Sequence, residues 1–287
     1  MSELAESITT EIQTALDKDQ LELPSLPEVA LRIREEAESE HVSAVSLSKV
    51  VSEDPGLTAQ LVRTANSPMF RATRSIDDLS QAISRLGVEY SANIVTGLAM
   101  QQMFQATSEM VDRKMRDVWK ASCDVAAWSS ILCKRHTKLR PDQATLAGLT
   151  HRIGVLPILG WVEENDHLIR DSLTLDRVIH SIHPTIGKMI LQHWNFADEI
   201  ADVPLHYMDI DHQSQSTDYV DIVCAAHLLQ VSGFADSVDV LEVQHPDLPD
   251  QWYAAPALNR LGINMEMDEA ARQDLRDEVN EVQNALR

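Results

Sequence analysis

Residues Ser52–Phe70 read SEDPGLTAQLVRTANSPMF, and the fold class turns on this stretch. Asp54 followed by Pro55 is a helix start. The aspartate can accept from the first free amides, and proline is tolerated in a first turn because its missing N–H would have had no partner there. Leu57, Leu61, Val62 and Ala65 then recur at helical spacing, and Asn66-Ser67-Pro68 stops the helix.

The same period extends in both directions. Upstream, Leu4, Ile8, Ile12 and Leu16 form one stripe of an N-terminal helix that ends before the segment holding Leu23, Pro24 and Pro27. Val29 to Ala37 is helical again, with Glu35, Glu36 and Glu38 as its solvated face. Downstream, Ser75 is the expected cap of a helix through Leu79, Ile83 and Leu86, with Gly87 at its left-handed end. A further helix runs through Ile94, Val95 and Leu98. Helical patterns follow at Val118–Cys133, Asp142–Leu149, Leu173–Ile182, Thr185–Trp194 and Asp218–Leu229, with Pro184 expected to restart the chain between the third and fourth. The tail carries a last stripe of Ala271, Leu275, Val279, Val282 and Leu286, which can dock on the body or on a second copy, leaving a homodimer open.

Composition agrees with an all-α protein. Glycines number only 9 and aromatics 5%, whereas 44% of the 287 residues are hydrophobic, enough for a substantial core. Acidic residues outnumber basic ones 45 to 24, and the formal net charge is -21. No Lys or Arg lies between Lys188 and Arg260, so the basic footprint that a nucleic-acid partner requires is missing. Lys134, Arg135, Lys138 and Arg140 are expected to be a solvated helix end. Cys123, Cys133 and Cys224 form no CxxC pair and read as buried thiols of a reducing compartment, hence a cytoplasmic location. The acidic start MSELAESITTEIQ is no secretory signal, and the longest uncharged stretch, Tyr90–Ser108, is too polar for a membrane span. Trp119, Trp128, Trp161 and Trp194, with Met100, Met103 and Met110, read as core or interface filler. The polar segments Asp211–Thr217 and His245–Asp250 read as loops, the first a candidate subdomain boundary.

Several of these landmarks together resemble the HDOD domain, a bacterial relative of the HD-type phosphohydrolases. The resemblance is carried by LPSLPEVALRI at Leu23–Ile33, by the Ser52–Phe70 stretch with its DP, L and R-x-A-N-S residues, and by Ser75, Ile76, Leu79, Ala82, Ile83, Leu86 and Gly87. HPTIGKMILQHW at His183–Trp194 is similar to a later segment of the family. The resemblance implies two packed helical lobes, the second an HD-phosphohydrolase-like bundle. The expected division is an N-terminal helix at 1–22, a core at 23–216 whose first lobe reaches about 108, and C-terminal helices at 217–287 that complete the second lobe.

An HD phosphohydrolase holds a divalent cation with a His on one helix, a His-Asp pair on a second and an Asp on a later one. Such a cation polarises a phosphoryl oxygen and acidifies bound water. Carried over position by position, the resemblance places Ala121, His151, Arg152 and His227 at those sites. A methyl group donates nothing, and a guanidinium stands where a cation would sit. The implied reading is a non-catalytic signalling module with no metal or other cofactor, acting on protein partners of a signalling pathway, without nucleic acid or membrane. The alternative is a phosphohydrolase with a rebuilt ligand set drawn from His151, His227, His183 and His206, the last two being candidate pocket residues. His180 and His183 are a weak ligand pair because of Pro184. Arg152 could hold a phosphate through two parallel bonds, but an ion pair with one of the many carboxylates is the expectation.

Overall fold

The structure is a computed structural model that describes residues 3–18, 20–67, 70, 75–165, 172–234, 251–263 and 266–287. Every regular element among them is helical: α1 (Glu3–Asp17), α2 (Glu28–Ala37), α3 (Ala44–Val51), α4 (Pro55–Asn66), α5 (Leu79–Leu86), α6 (Val88–Ala99), α7 (Glu109–His136), α8 (Pro141–Thr150), α9 (Val155–Glu164), α10 (Ser172–His193), α11 (Asp198–Ala201), α12 (Val203–His206), α13 (Tyr219–Val231), α14 (Pro256–Arg260) and α15 (Glu269–Leu286). Short 3-10 turns lie at Met100–Met103 and Trp252–Ala254.

The decisive stretch folds as its residues dictate. The Asp54 carboxylate accepts from the Gly56 and Leu57 amides at 2.8 and 3.0 Å. Leu57, Leu61 and Ala65 are buried in the core. Asn66 then clamps the chain on its return: its side-chain amide donates to the Ile76 carbonyl at 2.7 Å, and its carbonyl oxygen accepts from the Ile76 N–H at 2.8 Å. This clamp corrects the expectation for Ser75. With both backbone groups of Ile76 committed, a helix cannot begin there, and Asp78 caps α5 instead through the Gln81 amide at 2.8 Å. Gly87, with φ 92°, makes the corner between α5 and α6.

A first lobe holds α2–α6, where α4 packs on α5 and α2 on α6. The long α7 forms the spine of the second lobe, against which α8 and α13 pack. α1 lies on α10, and α15 touches both α7 and α4. The tail stripe therefore docks on the body, with Leu275, Val279, Val282 and Leu286 buried as expected and a departure only at its first residue. Ala271 is exposed, and Arg272 turns inward with its guanidinium 5.1 Å from the Phe234 ring centre. Arg135 of α7 reaches Asp274 and Glu278 of α15, and Arg140 reaches Glu89 and Asp142. Those two arginines therefore fasten elements together instead of ending a solvated helix.

Three further expectations change. α10 continues unbroken through Pro184, because Ile179, Ile182, Ile186 and Ile190 bury one face along its whole length. That packing outweighs the roughly 3 kcal/mol an interior proline costs. Met110 is 48% exposed, outside any core. The helices α3 and α9 lie in stretches where no helix was expected. Trp119, Trp128 and Trp194 are buried, as are the free thiols of Cys123, Cys133 and Cys224. Asp211–Thr217 joins α12 to α13, and His245–Asp250 lies outside the described residues. The segment Pro141–Glu164 is long and apolar enough in composition to cross a membrane, but it is 83% buried within the protein.

One buried carboxylate in the second lobe depends on two partners. Asp221, at the start of α13, has no exposed surface, and its carboxylate accepts from Arg260 of α14 and from Ser214. Removing the cation strands a buried charge. Arg260→Leu is therefore expected to lower the free energy of unfolding by about 3 kcal/mol in urea melts. An effect under about 1 kcal/mol would show that water replaces the guanidinium.

Candidate functional site

The turn at His151–Gly154, between α8 and α9, carries the residues that the sequence singled out. Its position is set by contact with α10. A Cβ added at Gly154 would fall inside van der Waals contact of the His183 carbonyl oxygen and the Gly187 nitrogen, so the two backbones touch where only glycine fits. Gly148, six residues earlier and inside α8, meets the backbone of Ala126 in α7 in the same way.

This contact brings His151 and His183 to the two sides of Tyr207. The His151 ring is 4.7 Å from the Tyr207 ring and 6.4 Å from that of His227, centre to centre. His227, on α13, lies 5.2 Å from Tyr207. The hydrogen bonds define the protonation of both buried rings. His183 Nδ1 lies 2.7 Å from the Ile179 carbonyl. A carbonyl can only accept, so Nδ1 carries the proton, and the neutral ring's Nε2 accepts from the Tyr207 hydroxyl at 2.9 Å. His151 Nδ1 donates likewise to the Gly148 carbonyl at 2.6 Å, but its Nε2 is buried with no hydrogen-bond partner among the described residues. Burial, reinforced by nearby cationic groups, holds both rings neutral: His151 titrates well below the ordinary range, and His183 is lowered to about 3.

Beside these rings is a cavity of about 400 Å³. Arg152, His180, His183 and His227 line it together with Lys114, which is ion-paired to Asp176. Leu173, Ile179, Met208, Ile210 and Leu228 supply its apolar wall. Among the described residues Arg152 has no carboxylate partner, contrary to the expected ion pair, and its Nε is buried without a hydrogen bond. His180 does join His183 at the cavity, because α10 is not broken at Pro184.

The other two positions lie elsewhere. Ala121 sits half-buried on α7 and is not a lining residue; Lys114, seven residues or nearly two turns before it, supplies that helix's contribution. His206 is also absent from the lining. Its ring is 5.4 Å from that of His212, and His206, Asp209 and His212 bring their ligand atoms within 4.8 Å of one another. His212, Asp218 and Asp221 make a second such group, and neither includes His151, His183 or His227. Sequence reasoning missed Tyr207 and the contact at Gly154. A signal existed for the second, since a glycine inside an apolar helical pattern costs about 1 kcal/mol unless a neighbour comes close.

The HDOD domain profile matches residues 23–209. The chain belongs to the HDOD family. Its fold is similar to that of a candidate metal-dependent phosphohydrolase from Shewanella amazonensis SB2B, with a TM-score of 0.85, 26% identity and 100% of both chains covered. It is also similar to an HDOD domain protein of unknown function from Geobacter sulfurreducens, at TM-score 0.63 and 22% identity over 98% of this chain and 96% of that one. An uncharacterised protein of Treponema pallidum (strain Nichols) is 21% identical over 218 residues, 71% of this chain. The HDOD chain spans 41% of that relative's length.

The neutral, buried histidines make stability depend on pH with a definite sign. Their folded pKa values lie below the unfolded value near 6.5, so the unfolded state takes up protons first as pH falls. Their contribution is complete above about pH 6.5 and is lost below it, by up to about 1.4 kcal/mol per pH unit for each ring, down to the folded pKa. Urea melts at pH 7.5 and 5.5 are expected to show this loss, and His183→Gln is expected to flatten the slope between them. An unchanged slope would mean that other groups dominate.

Proposed function

We propose that this HDOD chain is a non-catalytic regulatory module of bacterial signal transduction, acting in the cytoplasm through protein partners on a scaffold whose HD-type metal site has been lost. The observation that carries this reading is the Arg152 guanidinium at the cavity. It is a fixed cation with no carboxylate partner among the described residues, on the residue next to His151, where the family's pattern has a ligating Asp. The four positions do not fit a divalent cation. Ala121 has no donor, Arg152 repels, and no ligand group of three around His151 exists among the described residues. His183, a substitute ligand on paper, has both ring nitrogens in use. Three buried thiols, two of them raised to about 12 by burial, support a reducing compartment. A solved structure from Marinobacter aquaeolei VT8 with the same fold bears the description of a candidate signal transduction protein, which supports the regulatory role.

A second reading, a phosphohydrolase with altered ligands, is favoured by one feature. His151 presents a buried, unprotonated Nε2 without a partner, the form of imidazole that binds metals. The description of the Shewanella protein favours it too.

Elemental mass spectrometry of protein purified without chelator, alongside an assay on bis-p-nitrophenyl phosphate, separates the two. Well under one equivalent of transition metal and no turnover are expected. Turnover abolished by His151→Ala would overturn the proposal. The rebuilt variant Ala121→His with Arg152→Asp is expected to bind Mn²⁺ at least about tenfold more tightly than the parent, since a donor is gained and a repelling charge removed. Equal affinity would show that these positions do not make up the ancestral site.

A further inference from the structure

We propose that the cavity beside Arg152 is a binding site for a small phosphate monoester with an apolar or planar body, of which a nucleoside monophosphate is the fitting class. The inference rests on the non-hydrolytic reading of this pocket only in that the ligand is held and not cleaved.

Charge distribution is the first argument. In a chain of net charge -21, three helices (α7, α10 and α13) and the turn after α8 bring Lys114, Arg152, His180 and His227, beside the neutral His183, to one cavity. Among the described residues the only carboxylate lining it, Asp176, is bound to Lys114. A cavity with this lining attracts anions against the field of the whole molecule.

Arg152 is the second. Other arginines of the fold are engaged: Arg34 donates to the Trp194 and Asn195 carbonyls, Arg140 pairs with Glu89 and Asp142, and Arg260 with Asp221. Among the described residues Arg152 has no such partner, although its Nε is buried. A partly desolvated guanidinium without a partner is a cost to the free protein, and an oxyanion that takes two parallel N–H bonds removes it. The unpartnered His151 Nε2, on the preceding residue, leaves a second polar atom of the turn unsatisfied.

The cavity's shape and its other wall give the ligand class. Leu173, Ile179, Met208, Ile210 and Leu228 line the same cavity as the cationic groups, so the ligand carries an apolar or planar body beside its charge. A volume of about 400 Å³ lies at the small end of organic ligand sites and suits a single nucleotide. The 61% exposure of Leu173 places the opening on the surface, which lets a ligand enter without unfolding.

Calorimetric titration of the full chain with AMP, inorganic phosphate and adenosine tests this. AMP is expected to bind saturably, phosphate to compete with it more weakly, and adenosine to show no binding. Arg152→Gln is expected to weaken AMP at least tenfold, while the melting temperature of the free variant stays equal to or above the parent's, because an uncompensated charge is gone. Lys114→Gln, changed at a partly exposed position, is expected to weaken AMP by a smaller factor and serves if the first variant fails to fold. AMP affinity that survives both substitutions, or no saturable binding of AMP or phosphate up to about 10 mM, would overturn the site. Phosphorus NMR of the same samples separates the two proposals. Release of phosphate would leave the site standing and sink the non-catalytic reading, whereas absence of binding would sink only the site.

Discussion

Backbone meets backbone where the turn after α8 presses on the middle of α10, and the second lobe is arranged around that contact. Gly154 has no side chain to hold the His183 carbonyl away, and Gly148 allows α8 the same intimacy with α7. Close approach of three helices brings His151 and His183 within reach of one tyrosine ring. Tyr207 contacts both, bonded to His183 and stacked edge-on against His151. The candidate site is thus a consequence of how tightly helices can pack when two positions lack a Cβ.

Electrostatics divides the interior into settled and unsettled charges. Asp221 and Arg260 are buried together and neutralise each other, closing α13 onto α14. Arg272 rests its guanidinium against Phe234, and Arg34 stacks on Phe196 at 4.3 Å while bonding carbonyls between the lobes. Against that background Arg152 is out of balance. Proteins retain such imbalance where something other than stability is selected, and both functional readings above draw on the same guanidinium.

Much of the fold was legible because local rules were not contested. The Asp54-Pro55 start, the α4 stripe and the corner at Gly87 need only neighbouring residues to act. Where reading failed, a distant group intervened. Ser75 lost its cap to Asp78 because Asn66 had already bound Ile76. Pro184 did not break α10 because an isoleucine face was buried along both halves. Ala271 ceded its inward place to Arg272 because Phe234 offered a ring for the guanidinium.

The sequence by itself determined the helical class, the family and the residue types at the four positions that the family resemblance assigns, since these rest on periodicity, capping and motif identity. Only the tertiary structure decided that His180 and His183 share a cavity with Arg152 and His227, that Ala121 and His206 stay outside its lining, and that Arg152 has no carboxylate partner among the described residues. The physical reason is separation along the chain. Lys114, Arg152, His183 and His227 come from stretches whose proximity depends on glycine contacts between helices, and no local pattern encodes the distance between them.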